Sequence, residues 1–149
     1  MNFPEKINIT IIKEDDNTPV KGVYVAIKLF SKYKKDFYII TQSSDEKGII
    51  LVTKNHIRNE VESKSPPDSK AGLDDYNSML LIWVIGKKDT TKILEGINSQ
   101  KILSYPSDRF IDQLKNYNLK IESKSELFEF RNNNDLDVTF KCQLISLTR

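Results

Sequence analysis

The chain has 149 residues, the size of one domain, and its 23 basic and 21 acidic side chains leave a formal net charge of only +2. A domain of this length buries roughly 70% of the surface its unfolded chain exposes, so no metal or disulfide staple is required. The one cysteine, Cys142, has no partner for an intramolecular disulfide.

Charge and hydropathy exclude two classes of partner. Lys and Arg are spread along the chain among the acids, without the concentrated basic face of a nucleic-acid binder. The longest apolar run, Met79 to Ile85, is far short of the roughly 20 residues a membrane helix needs. The opening MNFPEKINITIIKEDD carries acidic residues where a signal peptide would be apolar, so a cytoplasmic location is expected.

Ile7-Asn8-Ile9-Thr10-Ile11 alternates with the period of two that marks a half-buried strand. It ends in the turn-forming cluster Glu14 to Pro19. The second strand runs from Val20 to Phe30, with Val23, Val25, Ile27 and Leu29 on its core face and Tyr24, Ala26, Lys28 and Phe30 on the other. Gly22 marks a bulge or close backbone approach near its start. A polar loop, Ser31 to Asp36, leads into a third strand at Phe37 to Thr41. The turn Ser44-Asp45-Glu46-Lys47-Gly48, with Gly48 suited to positive φ, opens a fourth at Ile49 to Thr53.

Asn55 to Val61 spaces Ile57 and Val61 as a short helix would. Residues 62–75, ESKSPPDSKAGLDD, hold two prolines and little to bury, and are expected to form a mobile loop within a single domain spanning 1–149. Met79 to Ile85 is apolar on both parities, as a central strand covered on both faces would be. Thr91 to Leu94 is a plausible hairpin partner for it. Pro106-Ser107-Asp108 starts a helix near residues 107–117, with Phe110, Ile111, Leu114 and Tyr117 as its apolar stripe. Leu127 to Phe130 and Leu136 to Leu147 read as a closing hairpin.

This succession of strands with one clear helix predicts a mainly β fold, an antiparallel β-sandwich of prealbumin or immunoglobulin type; an α+β arrangement is the alternative. The run from Ile7 to Ile57 resembles the prealbumin-like sandwich of transthyretin and of carboxypeptidase regulatory-like domains. In that pattern a Pro-X-X-Gly-X-X-Val segment starts the second strand and an Asp-X-X-Gly turn precedes the fourth. The matching residues are Pro19, Gly22, Val25, Asp45 and Gly48, over about a third of the chain. The superfamily's hydrolase branch works through several histidines, an arginine and a C-terminal Tyr-Arg-Gly-Ser. This sequence has one histidine and closes Ile145-Ser146-Leu147-Thr148-Arg149, so the resemblance implies the non-enzymatic branch.

The residues carry little chemistry of their own. His56 is the one histidine, and a zinc site needs three or four suitable ligands, so neither a metal nor another cofactor is expected. Cys142 falls on the inward register of the last strand, where a thiol behaves as a small apolar group. Asp15-Asp16-Asn17 lacks the glycine and glutamate of a calcium loop and reads as a turn. Ser31-X-X-Lys34 lies between strands, not on the helix that a serine–lysine pair requires.

What remains is a contact surface: Tyr33, Lys34 and Lys35 at a loop tip, with Tyr38 just inside the next strand. The expectation is a non-catalytic module that binds another protein, as a subunit of a bacterial multiprotein assembly or as the cognate inhibitor of a toxin. A small-molecule or carbohydrate-binding sandwich using Trp83 or exposed tyrosines is the alternative.

Overall fold

The computed structural model describes residues 3–32, 36–64, 72–86, 121–122 and 124–144. Seven strands, β1 (Lys6–Lys13), β2 (Tyr24–Ser31), β3 (Phe37–Ile40), β4 (Ile49–Thr53), β5 (Tyr76–Gly86), β6 (Ser125–Glu129) and β7 (Leu136–Cys142), are joined by helix α1 (Lys54–Lys64) and a 3-10 turn at Leu73–Asp75. They form two sheets, β4-β1-β7 and β3-β2-β5-β6. The fold is a β-sandwich.

Alternation decides which side chains fill the space between the sheets. Ile7, Ile9 and Ile11 from β1, Ile50 and Val52 from β4, and Val138, Phe140 and Cys142 from β7 meet Val25, Ile27 and Leu29 from β2, Ile39 from β3 and Leu80, Ile82 and Val84 from β5 in one buried cluster. Helix α1 adds Ile57 and Val61, both fully buried and one turn apart. Thr53 starts that helix, its Oγ1 accepting the His56 N–H at 3.1 Å as an N-cap.

The chain passes between the sheets four times among the described residues, and two of these crossings, β1 to β2 and β3 to β4, are bonded to each other. Thr41 continues the β2 ladder, its N–H donating to Val25 O at 2.9 Å and its hydroxyl to the same oxygen at 3.1 Å. Ser44 N–H donates to Val23 O and Gly22 N–H to Ser44 O, while the Ser44 hydroxyl donates to Val20 O at 2.7 Å and accepts the Val23 N–H at 2.9 Å. Both side chains are buried, so these bonds stand where strand ladder would otherwise be lacking.

Gly22 and Gly48 adopt φ of +80° and +74°. Their surroundings differ. A Cβ at Gly22 would meet open space, whereas one at Gly48 would collide with Ile11 O and press on Val20 N and Pro19 Cβ at 3.2 and 3.3 Å. The close approach therefore lies at Gly48, and Gly22 supplies only a left-handed turn.

Three features depart from the sequence expectations. β6 and β7 do not form a hairpin; they enter different sheets. Residues 130–135 make that change possible by wrapping the start of the chain, with Phe130 packed on Phe3 at 5.3 Å between centroids and Asn133 Oδ1 accepting the Phe3 N–H. β7 then pairs with β1 in parallel, so the sandwich is not wholly antiparallel. Of residues 62–75, Glu62 to Lys64 finish α1 and Leu73, which is buried, opens the 3-10 turn. Residues 65–71 of that stretch, the helix near 107–117 and the strand at 91–94 lie outside the described residues.

The outer face of the four-stranded sheet is also apolar. Ala26, Tyr38, Trp83 and Ile85 are at most 3% exposed without belonging to the central cluster. This is why Met79 to Ile85 reads as apolar on both parities.

Urea denaturation checks the crossing. Gly22→Ala is expected to lose about 1 kcal/mol, the left-handed penalty alone. Gly48→Ala adds a backbone clash and is expected to lose about 3 kcal/mol. Ser44→Ala, which strands a buried N–H and C=O, is expected to lose about 2–4 kcal/mol. Equal losses at the two glycines would contradict this account.

Candidate functional site

The structure places one of the four expected contact residues. Tyr33, Lys34 and Lys35 lie outside the described residues. Tyr38 is 3% exposed and stacks on Trp83, with ring centroids 5.9 Å apart and planes 17° from parallel. Beside it the buried Lys28 sets its ammonium 4.7 Å from the Phe30 ring centroid and 5.7 Å from that of Tyr38, and reaches Asp36 at 3.4 Å. Such a cation–aromatic contact gains strength from exclusion of water. Tyr38 is therefore part of a packed layer, and Trp83, stacked within the same layer, does not offer an open platform to a sugar.

Exposed large apolar side chains sit elsewhere: Leu127 on β6 and Leu144 stand singly, and two occur together on β4. Ile50 and Val52 point inward, which turns Ile49 and Leu51 outward, and these are 37% and 44% exposed. Across the sheet Ile49 lies beside Thr10 and Leu51 beside Asn8, whose amide donates to Asp137 Oδ1 at 2.9 Å. Thr41, Gln42, Thr53 and His56 surround Leu51 and Val52 to form a depression of about 300 Å³. His56 is half exposed there, its Nε2 3.9 Å from Glu60. Two neighbouring aliphatic side chains beside a concave, mostly neutral rim can bury against a partner.

The backbone of this strand is only partly available. Ile11 N–H donates to Gly48 O and Lys54 N–H to Glu5 O, so alternate β4 residues bond to β1 and Ile49, Leu51 and Thr53 turn their groups outward. Asp45 closes the Ile49 position: its carboxylate accepts the Ile49 N–H at 2.9 Å and its own N–H donates to Ile49 O. Thr53 begins α1. The contact that β4 offers is therefore carried by side chains.

This surface was not legible in the sequence, because Ile49-Ile50-Leu51-Val52 is apolar on both parities. No local signal separates the two parities; only the edge position of β4 in its sheet exposes one of them.

The remaining reactive groups have ordinary work. Asp16 Oδ1 accepts both the hydroxyl and the N–H of Thr18, which holds its carboxyl below the usual range and builds a turn around Asn17 at φ 60°. Among the described residues no three His, Cys, Asp or Glu side chains converge on one point. A second depression of about 350 Å³, lined by Lys13, Glu14, Asp15, Gln143 and Leu144, is shallow and mixed in charge. Cys142 is fully buried, and burial pushes its thiol up from 9.0 to about 11, against Lys124 and together with Glu122 and Glu14. A thiol in that state is a poor nucleophile at neutral pH.

No family model and no curated protein matches this chain. A solved structure of a 9R-lipoxygenase from Cyanothece PCC8801 is similar over 92% of this chain at 12% identity and a TM-score of 0.40. The chain spans 16% of that protein's length, and likeness at this level says nothing about activity.

The Cys142 thiol gives a signed pH dependence. Its folded pKa is raised, so its contribution to stability is whole below about 9 and is lost as pH climbs towards about 11. Cys142→Ala is expected to flatten the decline over that interval by about 1 kcal/mol per pH unit, measured as the difference between the two proteins in urea titrations. A thiol-specific chromogenic reagent at pH 8 should label Cys142 in urea but leave the native protein unmodified.

Proposed function

We propose that this chain is a non-catalytic β-sandwich module that binds another protein, either as a subunit of a multiprotein assembly or as the inhibitor of a toxin. The observation that carries the reading is the outward pair Ile49 and Leu51, which keeps apolar area in water on a strand whose inward residues already fill the core. Tyr33, Lys34 and Lys35, read from the sequence as contact residues, belong to the same proposal.

The non-catalytic part of the reading is supported by the state of the nucleophiles. Cys142 is sealed and held protonated, and His56 Nε2 lies 3.9 Å from Glu60 Oε1, one turn along α1. A prealbumin-like plan belongs to the same proposal. It is supported by Gly22 at positive φ and by Asp45 and Gly48 closing the turn before β4, with the Gly48 N–H donating to Asp45 O at 2.9 Å.

Affinity capture with the tagged chain from cells that express it tests the reading. Wild type should retain a partner in stoichiometric amount, and Leu51→Arg should lose it while denaturing within about 0.5 kcal/mol of wild type. Capture that is absent, or indifferent to Leu51→Arg and to Ile49→Asp, would contradict it. Suppression of the partner's activity by the chain separates an inhibitor from an assembly subunit.

A further inference from the structure

The strand at the other edge of the three-stranded sheet, β7, is unlike β4 because, among the described residues, nothing bonds to its outward backbone over most of its length. Glu14 N–H donates to Cys142 O, and in the parallel ladder the even-numbered residues of β7 therefore face β1. Asp137, Thr139 and Lys141 turn their N–H and C=O groups away from the sheet. Among the described residues these groups have no partner. Gln143, the next in the series, is closed: its N–H donates to Glu122 Oε1 at 3.2 Å and its carbonyl accepts the Glu122 N–H at 2.8 Å. The open stretch is thus bounded, and it holds three exposed side chains on one face, an acid, a hydroxyl and a base.

That sequence of charges complements itself when reversed. We infer that β7 pairs antiparallel with β7 of a second copy of this chain, about a two-fold axis at Thr139, joining two three-stranded sheets into one. Thr139 faces its counterpart, and Asp137 faces Lys141 at both ends, so each ion pair is repeated by symmetry. Registers centred on Asp137 or on Lys141 would instead set like charges opposite one another. The residues between, Val138 and Phe140, keep their buried positions on the inner face, because the added strand continues the same pleat. Lys141 forms no ion pair with the described residues of its own chain, and Asp137 spends one oxygen on Asn8, leaving the other for a second copy. Main-chain bonds give such an addition its affinity, and the charge order gives its register.

Sedimentation velocity from about 10 μM to 1 mM protein tests the inference, because an edge pairing of this size is expected to be weak. Twice the 17.3 kDa chain mass is expected at the upper end. Asp137→Lys and Lys141→Asp should each raise the dissociation constant at least about ten-fold, and the two together should restore it. The wild-type amide protons of Asp137, Thr139 and Lys141 give an independent reading, exchanging several-fold more slowly in concentrated than in dilute protein. A monomer throughout this range overturns the inference. So does a dimer indifferent to the single exchanges, one not restored by the double exchange, or one whose three amides are unprotected.

Discussion

Everything in this sandwich depends on the place where the chain leaves the four-stranded sheet after β3 and enters the three-stranded sheet at β4. This crossing and the one from β1 to β2 pass through the same narrow corner, and backbone groups there cannot reach an ordinary ladder. Ser44 resolves that by acting as donor and acceptor to the β1–β2 connection at once, at 2.7 and 2.9 Å. Thr41 does the same for Val25, and Gly48 lets Ile11 O and Pro19 approach where any side chain would obstruct them. An unsatisfied buried amide or carbonyl costs about as much as a good hydrogen bond gains, so the corner is stable only when all these groups pair together.

Placing this corner fixes what the molecule can present. β4 emerges from it in a register that sends Ile50 and Val52 inward and Ile49 and Leu51 outward. A slip of one residue would exchange the two sets. Asp45, from the same turn, then occupies the backbone of Ile49. One short segment therefore sets the register of the edge, closes part of it to strand addition, and leaves its aliphatic side chains to the solvent.

Much of the architecture could be read from residue order. Alternation in Ile7 to Ile11 and in Leu136 to Cys142, the turn at Asp45 to Gly48 and the spacing of Ile57 and Val61 each reflect a local constraint, and local constraints leave local patterns. The separation of β6 and β7 into different sheets left no such trace. Arg131 to Asp135 reads as a hairpin turn, and only the distant Phe3, packed on Phe130 and bonded to Asn133, shows that the chain passes to the other sheet. The candidate contact surface was hidden for a different reason. Tyr38 carries the composition of an interface residue, yet the apolar outer face of its sheet draws it into a stack with Trp83. Ile49 and Leu51 carry the composition of core, and only their place at an edge exposes them.

The parallel pairing of β1 with β7 has a consequence for how the molecule is made. Asn8 and Asp137, bonded across that seam, are 129 residues apart in the chain. Closing so long a loop brings no reward until nearly the whole sequence is available, and topologies built on distant contacts fold slowly. During synthesis β1 must wait beside β4 with one flank unpaired while the rest of the polypeptide is delivered. In that interval the isoleucines of β1 lack the cover that Val138, Phe140 and Cys142 later provide, and the growing chain is at its most vulnerable to association with its neighbours.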